Sequence, residues 1–272
     1  MYTADVSHIE AYLNELMERR ATDLHIAAGS HPMIRIDGSL QPIGGSEVLT
    51  PEESTVIVDR LIGPDDLDRF NEDRQLDFSF PWGDQARFRA NAYYQRNSPA
   101  VALRLIPTDI PTPQQLGLPD VWQKIVKKPH GLVLATGPTG SGKSTSQAAM
   151  IAEIAATRAC HILTIEDPIE YMQHSKMALV NQREVGTDVP DFAQGLRAAL
   201  REDPDVVLVG ELRDLETISL TLTLAETGHL VFGTLHTNDA AQTVDRLIDV
   251  FPHDQQAQVR TQLSMSLVAV IA

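Results

Sequence analysis

The eight residues Gly137-Pro138-Thr139-Gly140-Ser141-Gly142-Lys143-Ser144 have the types and spacing of a phosphate-binding P-loop. They lie between an apolar, strand-like run, Leu132 to Ala135, and a helix-forming run from Thr145 to Ala156. Consecutive backbone N–H groups of such a glycine-rich turn wrap a β-phosphate, and the positive end of the following helix adds to the attraction. Lys143 can bridge the β- and γ-phosphates, and Ser144 can present its hydroxyl to magnesium. The expected ligand is a nucleoside triphosphate, ATP with Mg2+, held by the stretch from Gly137 to Thr145.

Further chemistry is expected where strands end. Four short, continuously apolar runs, Leu132 to Ala135, His161 to Ile165, Val206 to Val209 and Leu230 to Leu235, punctuate the second half of the chain. Runs without alternation belong to a parallel sheet covered on both faces, and ligands of such sheets sit beyond the carboxyl ends of the strands. The first strand ends in the P-loop, the second in Glu166-Asp167, the third in Gly210-Glu211 and the fourth in His236. Glu211 and Glu166 are candidates to orient or deprotonate an attacking water, since phosphoryl transfer needs mainly positioning and charge stabilisation; the alternative for each is a solvated loop acid. Gly210 stands where a P-loop protein usually carries a magnesium-linked Asp. Asp205 cannot substitute, because it begins the strand and lies about 17 Å from the far end. Either Glu211 takes the metal role beside Ser144, or Glu166 and Asp167 share it. His229 and His236 are separated by roughly 23 Å of extended chain, so His236 is the candidate phosphate sensor, and His229 serves the opposite edge or an interface, or has a plain structural role.

The first hundred residues have a different rhythm. Ile9, Leu13, Leu16 and Met17 share one face of a helix from about Ser7 to Arg20, and Asp23 to Ala27 alternates like a strand. Met33 to Ile36 and Leu40 to Ile43 flank Asp37-Gly38, a pair suited to a two-residue hairpin turn. Thr50, Pro51 and Glu53 have the spacing of a capping box with proline in the first turn, and two short helices are expected between Glu52 and Asn71. A second hairpin pairs Leu76 to Phe80 with Ala86 to Tyr94 around Trp82-Gly83-Asp84, and Ala100 to Ile106 adds a strand. Arg87 and Arg89 share a face, with Arg104 on the next strand; they form either a basic face over a triphosphate or solvated surface. Arg197 and Arg201 carry the same ambiguity. Pro107, Pro111, Pro113 and Pro119 forbid regular structure and mark a linker. The division expected is 1–107, a linker at 108–119, and 120–272.

The chain has 272 residues, 43% of them hydrophobic, enough for two cores. A net charge of −15 argues against a nucleic-acid partner, whose phosphates need clustered cations. The single cysteine, Cys160, excludes an intramolecular disulfide and a cysteine metal cluster. No apolar run reaches membrane-spanning length, and Met1 to Asp5 lacks the blocks of a signal peptide, so a cytoplasmic chain without direct membrane insertion is expected.

These residues together resemble the ATPases of type II secretion and type IV pili over essentially the whole chain. Thr164 to Glu170 is similar to that family's Asp box, Arg201 to Asp214 to its atypical Walker B segment, and Thr227 to His236 to its His box. The resemblance implies an α/β fold with a RecA-like P-loop NTPase core preceded by a small PAS-like α+β domain, assembled as a homohexamer that turns ATP hydrolysis into mechanical work. It implies Glu211 and Glu166 as catalytic carboxylates, His229 and His236 as nucleotide-linked histidines, and Arg87, Arg89 and Arg104 near the phosphates. Val250-Phe251-Pro252, Gln255-Gln256 and Val259 to Leu263 are similar to the retraction branch, which withdraws pilin in twitching motility. That branch acts indirectly, through a pilus platform protein, from the inner face of the membrane. Pilus extension, type II secretion, a small-molecule kinase and a weakly hydrolysing nucleotide-binding scaffold are the alternatives. The chain is expected to stop short of the family's C-terminal helices, with Ser266 to Ala272 inside a helix.

Overall fold

The computed structural model describes residues 7–83, 86–106, 109–138, 140–237 and 239–272. Thr139 of the P-loop, Asp84 of the second hairpin turn, Pro107 at the domain boundary and the start of the chain from Met1 to Asp5 therefore lie outside the described residues. The chain divides into two compact units, Met1–Pro107 and Thr108–Ala272.

The first unit contains α1 (Ser7–Glu18), β1 (Asp23–Ala27), β2 (Met33–Ile36), β3 (Ser39–Pro42), α2 (Pro51–Ile62), α3 (Leu67–Asp73), β4 (Gln75–Trp82), β5 (Ala86–Gln95) and β6 (Ser98–Ile106). Its sheet is antiparallel, in the order β3-β2-β1-β6-β5-β4. Ile9, Leu13 and Leu16 on the inner face of α1 pack with Leu24, Ile34, Val58, Phe70, Phe88 and Leu103 into one core. Asp37 and Gly38 take the positive φ values of 48° and 80° that the β2–β3 turn requires. Pro51 opens α2, and Thr50 and Glu53 exchange both bonds of the capping box, at 3.2 and 2.8 Å.

The second unit runs α4 (Trp122–Ile125), β7 (Gly131–Thr136), α5 (Lys143–Thr157), β8 (His161–Glu166), β9 (Leu179–Glu184), α6 (Phe192–Ala199), β10 (Val206–Val209), α7 (Leu215–Glu226), β11 (Leu230–Leu235), α8 (Ala240–Asp249), α9 (His253–Ser266) and β12 (Leu267–Ile271). Its six-stranded sheet has the order β12-β7-β11-β10-β8-β9, and every pairing is parallel. Helices cover both faces: Leu132, Leu134, Val207 and Val231 pack towards α7 and α8, while Val133, Leu208 and Phe232 pack towards α5. This alternation explains why the central strands read as unbroken apolar runs. Asp191, Asp214 and Asp239 cap α6, α7 and α8 by accepting from the third helical N–H.

Two edge strands depart from the sequence reading. β9 carries Asn181, Gln182, Arg183 and Glu184, so it shows no apolar run, yet it pairs with β8 from His161↔Leu179 to Glu166↔Glu184. The end of the chain, expected to be helical, is strand: α9 stops at Ser266, and Leu267 to Ile271 pair with β7. Val268, Val270 and Ile271 are β-branched, and an open sheet edge beside β7 gives them backbone partners that a further helical turn would not. Gly131 makes this possible. It adopts φ +121°, and a Cβ there would lie 2.4 Å from Val268 Cγ2 and 2.8 Å from the Ser266 carbonyl. Gly131→Ala is therefore expected to unseat β12, raising amide exchange at Val268 to Ile271 at least about tenfold. Unchanged protection there would contradict this account of the edge.

Candidate active site

The parallel register brings strand ends to one line. Leu235 at the end of β11 pairs with Thr136 at the end of β7, and Val209 at the end of β10 pairs with both Ile165 and Gly233. The next residues along each strand are Gly137, Glu166, Gly210-Glu211 and His236. One pocket at this edge is lined by Lys143, Ser144, Thr145, Glu166, Glu211 and His236, together with Gly140, Gly142, Asp167, Tyr171 and Gln182.

The glycines of the P-loop have distinct physical reasons. Gly137 adopts φ +136°, and a Cβ would sit 2.6 Å from Ser141 Oγ; Gly142, at φ +92°, caps α5 in the left-handed region. The helix begins at Lys143, two residues earlier than the sequence run indicated, because Gly142 completes the turn. Lys143 Nζ donates to the carbonyls of Gly137 and Pro138, each at 2.9 Å. A cation held by two neutral carbonyls is available to an anion, which offers a stronger, charge-assisted bond.

Glu211 and Glu166 occupy opposite environments. Glu211 Oε1 lies 2.6 Å from Arg213 Nε and 3.3 Å from His236 Nε2. Burial works to raise its pKa, but the Arg213 guanidinium and then His236 outweigh it, holding the carboxyl below the usual range. Glu166 is only 8% exposed; Thr164 Oγ1 donates to its Oε1 at 2.6 Å and Gln182 Nε2 at 3.1 Å. Burial dominates over these bonds and pushes its carboxyl upward. Gly210 has a steric reason: its N–H donates to the Ile165 carbonyl at 2.8 Å, and a Cβ would meet Glu166 Cα at 3.1 Å. A side chain at the usual Walker B aspartate position would press on the backbone that carries Glu166.

Other expected residues are elsewhere. His229 immediately precedes β11, where its Nδ1 lies 2.9 Å from the Leu224 carbonyl and 3.2 Å from Thr227 Oγ1; it does not line the pocket. Arg87, Arg89 and Arg104 belong to the first unit. Arg89 and Arg104 face each other across β5 and β6, Arg87 donates to Ser79, and Arg104 is paired with Asp23 at 2.8 Å. Arg197 pairs with Glu216 at the surface. The sequence reading missed four groups that shape the pocket: Arg213 on Glu211, Gln182 on Glu166, Tyr171, whose hydroxyl meets Thr145 Oγ1 at 2.8 Å, and Gln147, which exchanges bonds with Gly233 and Thr234. Arg213 alone had a usable signal, two residues beyond Glu211; Gln182 and Tyr171 depend on β9 and the crossover before it, and Gln147 on the approach of α5 to β11.

A P-loop, two strand-end carboxylates and a strand-end histidine on a parallel sheet define a P-loop nucleoside triphosphatase site. The chain belongs to the type II/IV secretion system protein family, whose model matches residues 4–272. It is 51% identical to the type IV pilus retraction ATPase PilT of Pseudomonas aeruginosa over 93% of this chain and 73% of that protein. A twitching motility protein of Neisseria gonorrhoeae is also 51% identical, over 89% of this chain and 64% of its own length. Among solved structures, the pilus retraction motor PilT with bound ADP superposes with a TM-score of 0.91 at 49% identity, covering 95% of this chain and 75% of that one. The Legionella pneumophila ATPase DotB gives 0.80 at 31% identity, covering 96% and 74%.

The raised Glu166 carboxyl has a consequence for stability. A group whose folded pKa exceeds its unfolded value contributes stability below the ordinary carboxyl range, and the contribution is lost as pH rises through the folded value. Glu166→Gln, which keeps the protonated shape without the ionisation, is expected to flatten this loss in urea unfolding at a series of pH values. A variant that loses stability towards alkaline pH as steeply as the parent would show that the buried carboxyl does not titrate in this way.

Proposed function

We propose that this chain is an ATP-hydrolysing subunit of a homohexameric motor that powers type IV pilus retraction. The observation that carries the reading is the convergence of the P-loop, Glu166, Glu211 and His236 on one pocket. Its similarity to PilT, at 51% identity, supports retraction; a type II secretion protein E of Aeromonas hydrophila is 37% identical.

In this reading the stretch from Gly137 to Thr145 binds the triphosphate, with Lys143 leaving its two carbonyls for the phosphate oxygens. Magnesium fits the donors present: the Ser144 hydroxyl and a Glu211 carboxylate oxygen are hard ligands, and Mg2+ is commonly held by one or two carboxylates plus substrate phosphates. Bound there, it supplies charge neutralisation to the β- and γ-phosphates. Glu211 stays ionised and accepts a hydrogen bond from the attacking water. A carboxylate held below its usual pKa is a weak base, so its contribution is to place the water in line, which suits a loose phosphoryl transition state. His236, 3.3 Å from Glu211 and lining the same pocket as Lys143 and Ser144, serves as the phosphate sensor. Glu166, lining the same pocket, acts as the second catalytic carboxylate and helps to orient the attacking water. We assign the first unit, 1–107, as the PAS-like domain, 108–119 as the linker and 120–272 as the RecA-like domain. Arg87, Arg89 and Arg104 would supply compensating cations to a triphosphate, and His229 would act at a subunit interface.

The partners that follow from the PilT likeness are an inner-membrane pilus platform protein and, through it, pilin. None of the described helices is long and apolar enough to cross a membrane, so attachment at the cytoplasmic face would run through that protein. Replacing Glu211→Gln is expected to lower ATP hydrolysis at least about a hundredfold, the range for losing a water-positioning group, while nucleotide binding persists. A hydrolysis rate equal to the parent's would remove Glu211 from the reaction.

A further inference from the structure

Gln182 sits on β9 and directs every polar atom of its side chain at the wall of the pocket. Its Nε2 donates to Glu166 Oε1 at 3.1 Å and to the Tyr171 carbonyl at 2.9 Å, and its Oε1 accepts from the Gln173 N–H at 2.7 Å. Two residues on, Glu184 Oε2 accepts from the Ile169 N–H at 3.1 Å. Both β9 side chains thus reach back across the register Thr164↔Gln182 and Glu166↔Glu184 to grip the crossover that leaves β8. Tyr171, held by Gln182 through its carbonyl, places its hydroxyl 2.8 Å from Thr145 Oγ1 in the first turn after the P-loop. A continuous hydrogen-bonded path therefore runs from the P-loop helix through Tyr171 and Gln182 to Glu166.

We propose that Gln182 is a positioning residue for the reaction, fixing the Glu166 carboxyl at a set place relative to the P-loop. The proposal rests on Glu166 acting in hydrolysis, as read above. An edge strand has no packing need for polar side chains turned inward, and a half-buried amide with all its groups bonded is held in one orientation. In Gln182 both amide protons and the oxygen are used. The charged and titratable groups that face Glu166 are few. Glu170 on the crossover acts both ways, its backbone N–H favouring the ionised carboxyl and its own charge opposing it; Asp167 follows Glu166; Lys143, Glu211 and His236 line the same pocket. Gln182 is a neutral donor in this set, so it can orient the carboxyl in either protonation state.

Two substitutions separate positioning from mere packing. Gln182→Met keeps the volume and removes the donors; kcat for ATP hydrolysis is expected to fall about tenfold, the scale of a lost hydrogen bond to a buried group, with KM within about twofold. Q182E keeps the shape but places a second carboxyl against Glu166. Two adjacent carboxyls share a proton as pH falls, which restores a donor, so the rate of Q182E relative to Gln182→Met is expected to rise at least about threefold between about pH 8.5 and about pH 6. A ratio that stays flat, or a Gln182→Met variant that hydrolyses like the parent or loses ATP binding along with turnover, would overturn the assignment. Glu166→Ala is the control. Full activity in that variant refutes the role of Glu166 and the proposal with it, whereas slow hydrolysis there with a normal Gln182→Met refutes Gln182 alone.

Discussion

The in-register parallel pairing of β8, β10, β11 and β7 is the constraint on which the site depends. Each strand is short and almost wholly buried, with side chains packed against helices on both faces, so a register slip would move every one of them out of its packed place. Once that register is set, the residue after each strand has no freedom to be elsewhere. Gly137, Glu166, Gly210 and His236 follow strand residues that are direct or next neighbours in the sheet. The polar edge is a consequence of the apolar centre.

Crowding at this edge accounts for the unusual residue choices. Gly210 lets the β10 end approach β8, where a Cβ would press on Glu166, and Gly233 leaves room for Leu212, whose Cδ1 would lie 2.9 Å from a Cβ there. The two carboxylates that result are a few residues from each other's strands but differ in kind. Glu211 is clamped by a guanidinium and held ionised; Glu166 is buried with neutral donors and holds its proton more firmly. Environments that push two acids apart in this way allow one to carry charge and the other to donate or shape the wall.

Much of this was legible in the sequence, for identifiable reasons. The P-loop and the four central strands show because buried parallel strands have no alternation and the loop needs glycines at fixed positions. The capping box at Thr50 and the Asp37-Gly38 turn show because their chemistry is local. β9 was invisible because its side chains serve the pocket rather than a core, and with it went Gln182 and the reason for the segment from Asp167 to Ala178. β12 was misread as helix because its β-branched run follows a helix without any breaker, and only the vacant edge of β7 decides the matter. Gly210 was noticed as a departure, yet its cause, the approach of β8, is a contact between segments far apart in the chain.

The central claim is that the P-loop and the strand-end carboxylates form one hydrolytic site. A structure of the chain with a non-hydrolysable ATP analogue and Mg2+ tests it most directly. The γ-phosphate is expected in the pocket between Lys143 and Glu211, with Lys143 Nζ released from the carbonyls of Gly137 and Pro138 that hold it at 2.9 Å. A nucleotide bound with Lys143 still on those carbonyls, or with its γ-phosphate remote from Glu211, would contradict it.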